Sequence, residues 1–374
     1  MFGLYLHIPF CKNICKYCDF YKMVVSRSLQ EKTINYIIEE MKLRELSKYQ
    51  IDTIYIGGGS PSSLDDDLLD KLLFNLSQLT NFDELKEFTI EFNPNDITID
   101  KVKILQKYQV TRVSIGIQTF NNNLLNTLGR IPFVSFEELS EKIKLLNMYD
   151  ITNINVDLIY AIPGEVIDDI TDDLNKMMRL PITHLSCYSL ILEERSILYY
   201  EYTHNKIKLI DETLDEKMYE KINEVLEKNN FIHYETSNFS KPGFNSLHNL
   251  IYWHRDDYLG IGPGASSSIG NHRFTNTHNL NEYFLGIDNK NIKYAEDIID
   301  SKKDEQELMV MMNLRLSEGI NKKRYLERFN EDVKDTFPSI LELLKEGLLE
   351  ETTDTIRIPL KYFYISNYII VKII

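Results

Sequence analysis

Short runs rich in Ile, Val, Thr, Tyr and Phe alternate with longer amphipathic stretches over the first half of the chain. The runs Leu4–Ile8, Thr53–Ile56, Glu87–Phe92, Arg112–Ile117, Asn155–Ile159 and His184–Leu190 have the composition and length of strands. Between them, Leu29–Ser47, Asp65–Leu79, Ile99–Tyr108, Phe136–Asp150 and Asp168–Arg179 repeat apolar residues at helical spacing. Strand–helix alternation of this length predicts parallel strands joined by helical crossovers, as an open sheet or a partial barrel. Functional residues in either arrangement gather at the C-terminal ends of the strands.

The residues that follow the strands agree. Gly57-Gly58-Gly59-Ser60-Pro61-Ser62 follows the second strand, and Glu91-Phe92-Asn93-Pro94 closes the third. Gly116-Ile117-Gln118 ends the fourth, and Asp157 to Gly164 runs out of the fifth. Past residue 205 the alternation weakens. A helix over Asp211–Asn229 precedes a loop-rich stretch holding Gly243, His248, Trp253, Gly260, Gly262 and Gly264, with no clear strand before Gly260. From Asp304 the pattern is helical, with a β-wing expected near Leu348–Pro359.

Composition adds bounds. The 374 residues are 43% hydrophobic and 26% charged, enough for a large domain and a smaller one. A formal charge of −15 argues against a broad nucleic-acid interface, which needs net Lys and Arg. The N-terminus lacks a basic region and is interrupted by Pro9, so it does not read as a signal peptide. The apolar run Tyr364–Ile374 is shorter than the roughly 20 residues of a membrane span. A cytoplasmic protein is the expectation.

Three of the four cysteines, Cys11, Cys15 and Cys18, fall within eight residues. Such a cluster points to metal and not to a disulfide framework. Three thiolates on one loop can hold three corners of a [4Fe–4S] cubane, which leaves one iron open to a ligand. The alternative is structural zinc, which takes four ligands; here only His7 stands near as a fourth. Cys187 lies in a strand pattern and is expected in the core.

The spacing C-x3-C-x-aromatic-C, with Tyr17 as the aromatic, is similar to that of the radical S-adenosylmethionine (SAM) superfamily. The resemblance implies an incomplete (β/α)6 TIM-like barrel with a small, mainly helical C-terminal domain. It also implies that SAM chelates the open iron and is cleaved to a 5′-deoxyadenosyl radical. Tyr5-Leu6-His7-Ile8-Pro9-Phe10, the Gly57–Ser62 run, Ser114–Phe120, Asp157–Tyr160 and Gly260–Ser266 resemble the coproporphyrinogen dehydrogenase-like group of that superfamily. By position, Tyr5, Tyr17, Gly58, Gly59, Ser60, Glu91, Gln118, Arg130 and Asp157 are the implied SAM contacts. Ala161 stands where the group usually has glycine.

Within the group, the oxygen-independent coproporphyrinogen III oxidases carry a further cysteine where this chain has Phe20. His248-Asn249-Leu250-Ile251-Tyr252-Trp253 matches instead the H-N-x-x-Y-W motif of the haem chaperone branch. That branch implies haem as cargo, with His248, Tyr252 and Trp253 as its contacts, and a respiratory haem protein as acceptor. Peripheral contact with the inner face of the membrane and a homodimer are further expectations. The expected organisation is a cluster-bearing barrel over residues 1–205, an extension carrying the motif over 206–300, and a winged-helix-like domain over 301–374. The alternative function is oxidative decarboxylation of two coproporphyrinogen III propionates.

Overall fold

The computed structural model describes all 374 residues. Six parallel strands lie in sequence order: β1 (Phe2–Ile8), β2 (Thr53–Gly58), β3 (Glu87–Phe92), β4 (Arg112–Gln118), β5 (Asn153–Tyr160) and β6 (His184–Ser189). The crossovers carry α1 (Arg27–Leu43), α2 (Asp66–Leu79), α3 (Ile99–Lys107), α4 (Asn122–Thr127), α5 (Phe136–Met148) and α6 (Ile167–Met177). This is the incomplete (β/α)6 barrel of the sequence reading.

Side chains alternate along each strand, so each strand serves two environments. Leu4, Leu6, Ile8, Ile54, Ile56, Phe88, Ile90, Val113, Ile115, Ile154 and Val156 join the large apolar core that includes the helices. The intervening positions, among them Tyr5, Tyr55, Glu91, Ser114, Asn155 and His184, make a polar interior. Its members bond one another: Tyr55 Oη donates to Glu91 (2.7 Å), and Asn155 Nδ2 donates to Ser114 Oγ (2.8 Å). Buried polar groups need such partners, because an unmade bond costs about 1–3 kcal/mol.

Residues of the 206–300 stretch, among them Met218, Ile222, Leu259, Phe274 and Tyr283, belong to this same core. Next to β6 the sheet gains α7 (Ile197–Thr203), α8 (Glu212–Lys228), and the antiparallel strands β7 (Ile232–Glu235) and β8 (Asn238–Ser240). After α9 (Leu247–Trp253), the other edge gains β9 (Asp257–Ile261), parallel to β1. There follow β10 (Ser266–Ile269), β11 (His272–Asn276), α10 (Leu280–Asp288) and β12 (Tyr294–Ile299). One twelve-stranded sheet results. The stretch expected as loop thus holds strands, and Gly260 sits inside one. A Cβ there would lie 2.2 Å from the Ser266 carbonyl oxygen, so the close β9–β10 turn needs glycine.

The C-terminal residues form a second core around Met309, Ile320, Tyr325, Ile340, Ile356 and Phe363. It combines α11 (Lys302–Asn313) and shorter helices with a three-stranded wing of β13 (Ile320–Asn321), β14 (Glu350–Glu351) and β15 (Thr355–Arg357). No helix of the chain is long and apolar enough to cross a membrane.

Candidate functional site

The loop after β1 carries the three clustered cysteines over the C-terminal ends of the strands. Ion pairs fix it from three sides: Lys12 to Asp96 (2.5 Å), Lys16 to Glu201 (2.7 Å) and Asp19 to Arg195 (3.0 Å). The Lys16 amide also donates to the Leu128 carbonyl (2.8 Å), so loops after β3, β4 and β6 all hold it. A cavity of about 350 Å³ lies beneath. Cys11, Cys15, Cys18, Tyr17, Gly58, Gly59, Ser60, Glu91, Gln118, Arg130 and Asp157 all line it.

Glycine lets the β2 end approach this closely. Gly58 has φ +114°, and a Cβ there would sit 2.7 Å from the His7 ring; one on Gly59 would lie 2.8 Å from the Phe10 carbonyl oxygen. Gln118 holds φ +73° at a register shift between β4 and β5, a costly conformation for a side chain that faces the cavity.

Arg130 is the buried cation of the site. Its Nη1 lies 3.8 Å from Cys15 Sγ, and its Nη2 donates to Asn93 Oδ1 (2.9 Å) and to the Gly116 carbonyl. Two carboxylates face the same space. Burial raises Glu91 to about 7, against the Tyr55 hydrogen bond that lowers it; nearby Asp157 raises it further. Burial likewise raises Asp157, which accepts from Asn155 Nδ2 (2.7 Å) and Ser114 Oγ (3.3 Å). Burial and the neighbouring thiols push Cys11 up to about 12.

The donor set fits a cluster with a small-molecule ligand. Three thiols share one cavity wall, a buried guanidinium offsets thiolate charge, and a glycine-lined rim admits a ligand. The carboxylates and Gln118 can bond an amine or hydroxyls, and Arg130 can pair with a carboxylate.

Not every expected residue arrives there. Tyr5 does not line the cavity; its hydroxyl meets His7 Nδ1 (2.9 Å), and His7 Nε2 meets the Tyr21 carbonyl (2.8 Å). Asn93, Ser114 and Asp96 also line it, although none is among the implied SAM contacts. Asn93 directly follows β3 and Asp96 lies four residues beyond the strand, while Ser114 sits inside β4 on the face turned to the barrel interior, so only Asn93 carried a strand-end signal.

The H-N-x-x-Y-W motif lies at the opposite end of the barrel. Helix α9 packs across the starts of β1, β2 and β9, and Gly3 gives it room. His248 is fully buried, with Nδ1 against Thr53 Oγ1 (2.7 Å) and Nε2 against Tyr252 Oη (2.7 Å). In this arrangement neither ring nitrogen is free for iron. Trp253 is half-buried, with Arg315 over its ring at 6.0 Å.

A partial barrel with a three-cysteine loop over its strand ends defines the radical SAM class, and residues 5–177 match the Radical SAM superfamily. Residues 300–361 match the HemN C-terminal domain. The chain is 35% identical to the heme chaperone HemW of Lactococcus lactis subsp. lactis, over 98% of this chain and 96% of that protein. It is 33% identical to the heme chaperone HemW of Bacillus subtilis, over 95% and 94% of the two chains. The chain belongs to the HemW family. The solved structure of Escherichia coli coproporphyrinogen III oxidase (HemN) shares the fold, with a TM-score of 0.84 at 21% identity, over 100% of this chain and 89% of that one. The superfamily implies a [4Fe–4S] cluster and SAM.

Proposed function

We propose that this protein is a haem chaperone that carries haem to respiratory haem proteins. Cys11, Cys15 and Cys18 hold a [4Fe–4S] cluster, and Gly58, Gly59, Ser60, Glu91, Gln118, Arg130 and Asp157 hold SAM beside it. Tyr17, between Cys15 and Cys18 in the chain, lines the same cavity and is a further contact. Tyr5, the remaining implied SAM contact, is held by His7 outside the cavity lining. When bound, the cluster and SAM supply one-electron chemistry. The chain's own part is to orient and to exclude water: Arg130 faces the SAM carboxylate, and Glu91 and Asp157 face its amine or ribose hydroxyls.

The observation that carries the chaperone reading is full-length similarity to haem chaperones. Phe20, 70% exposed at the position where the oxidases carry a cysteine, supports it. In this reading the H-N-x-x-Y-W residues His248, Tyr252 and Trp253 contact the haem. For His248 that requires release from Thr53 and Tyr252, two bonds worth about 1 kcal/mol each. The protein works in the cytoplasm, touches the membrane only at its inner face when it meets an acceptor, and forms a homodimer.

The second reading is coproporphyrinogen III oxidation, favoured by the shared fold with the oxidase. The test is anaerobic reconstitution of the cluster, followed by SAM, a reductant and coproporphyrinogen III. The chaperone reading expects no decarboxylated product from protein shown to hold cluster and SAM. Product at catalytic turnover would make the chain an oxidase despite Phe20.

A further inference from the structure

The hydrogen bonds along one wall of the cavity run in a single direction. Arg130 only donates, so Asn93 turns its Oδ1 to the guanidinium (2.9 Å) and its Nδ2 to Ser60 Oγ (2.7 Å). The Asn93 amide donates to Ser62 Oγ (3.0 Å), and Ser62 Oγ donates to Asp96 Oδ2 (2.9 Å). A hydroxyl has one proton, and that of Ser62 is committed to the carboxylate. The 3.0 Å bond between Ser60 and Ser62 is therefore donated by Ser60. Ser60 Oγ has then given its proton and accepted once. It keeps one lone pair, on a side chain that lines the cavity.

Asp96 is where this run ends. It is buried, and its second oxygen, Oδ1, accepts from Lys12 Nζ (2.5 Å). Lys12 stands next to Cys11 in the chain, and Arg130 Nη1 lies 3.8 Å from Cys15 Sγ. Both ends of the run thus meet the cysteine loop, one beside Cys11 and the other at Cys15. Lys101, buried on α3, donates to the Ser62 carbonyl (2.5 Å) and fixes the segment between them. An ionised carboxylate suits the end of such a run, because it accepts at both oxygens and has no proton to give. An amide in its place would turn an N–H toward either Lys12 or Ser62, donor against donor.

We propose that Asp96 is a positioning residue for SAM, acting through Ser60 on one side and Lys12 on the other. Through Ser62 it sets the proton order that leaves Ser60 Oγ an acceptor toward the cavity, suited to an N–H of the ligand. Through Lys12 it clasps the cysteine loop to the loop after β2, so that cluster and ligand are held in one register. The inference rests on the reading of this cavity as a cluster and SAM site.

The test is equilibrium SAM binding to the anaerobically reconstituted full-length protein, with iron and sulfide content measured alongside. The electron paramagnetic resonance spectrum of the reduced cluster is recorded with and without saturating SAM. Asp96→Asn keeps the shape of the side chain and removes one acceptor. Altering an outer partner of a metal site costs on the order of 10- to 100-fold, so Asp96→Asn weakens SAM binding by about tenfold or more at unchanged iron content. Its SAM-induced spectral change differs from that of wild type even at saturation, which a general loss of stability does not produce. Lys12→Gln leaves the buried carboxylate in place and weakens SAM binding less; added to Asp96→Asn, it brings little further loss. Lys107→Gln, which breaks an ion pair with Asp70 outside the cavity, matches wild type. Wild-type SAM affinity and spectrum in Asp96→Asn overturn the assignment, as does a loss that only follows lost iron. Should Asp96→Asn not fold, wild-type SAM affinity in Lys12→Gln overturns it. A wild-type protein that holds no cluster or no SAM overturns the cavity reading and the assignment together.

Discussion

Arg130 Nη1 stands 3.8 Å from Cys15 Sγ, although 115 residues separate the two in the chain. The contact joins the cysteine loop after β1 to the loop after β4. The same guanidinium holds the Gly116 carbonyl at the end of β4 and Asn93 at the end of β3. One side chain thus ties together the ends of three parallel strands at the point where a ligand would meet the cluster.

Arg130→Ala removes that fork from the cavity. Truncating one partner of a buried, hydrogen-bonded charge pair costs about 2–5 kcal/mol. SAM affinity of the reconstituted protein is expected to fall accordingly in equilibrium binding, with iron and sulfide content retained. Arg130→Lys restores the charge but not the two-pronged geometry, so it recovers only part of the loss. Unchanged SAM affinity in Arg130→Ala would remove this residue from the site.

Glu87 is the carboxylate that seats the motif helix. Buried at the start of β3, it accepts from the Leu247 amide (2.8 Å), the His248 amide (3.1 Å) and Ser246 Oγ (3.3 Å). Glu87→Ala leaves those donors without an acceptor and is expected to lower stability by about 1–3 kcal/mol. Denaturant unfolding measures this, and a change within error would mean that water replaces the carboxylate.

Most of the barrel was legible in the sequence because β1 to β5 each carry one apolar face. Glu87–Phe92 is the same in sequence and structure, and the other five strands differ only at their ends. The cavity residues could be found because they cluster at strand ends. What stayed hidden was β7 to β12. The run Ser266–Ser267–Ser268 is polar and pairs with β11, so its strand character comes from neighbours and not from composition. The burial of His248 was also illegible: the motif shows an imidazole beside aromatic residues, but not that Thr53, 195 positions away, takes its Nδ1.

Ala161, which follows β5, holds φ +63°. That left-handed conformation costs a residue with a Cβ about 1–2 kcal/mol, and glycine escapes it at an entropic cost of roughly 0.5–1 kcal/mol. Ala161→Gly is therefore expected to stabilise the protein by about 0.5–1 kcal/mol, seen as a raised unfolding midpoint. A lowered midpoint would show that the turn tolerates alanine without strain.

His248 sets an acid limit on the fold. Burial lowers its pKa from 6.5 to about 3, with Arg112 adding repulsion. An unfolded chain takes up this proton near pH 6.5, and the folded one does so only near 3. The stability it contributes is present above 6.5 and is lost as pH falls toward 3, by about 1.4 kcal/mol per pH unit for one proton. His248→Gln is expected to flatten the decline between pH 6 and 4 by about one proton. An unchanged slope would mean that His248 titrates normally in the fold.

The most direct test of the haem-chaperone account is a transfer experiment. The reconstituted protein is loaded with one equivalent of haem, freed of excess, and mixed with a haem-free acceptor of respiratory type. The acceptor's own haem spectrum is followed over time. The account predicts that haem is held without an acceptor, moves to it on mixing, and does so without decarboxylating chemistry. Haem that never binds, or that stays bound while a competent acceptor remains empty, would contradict it.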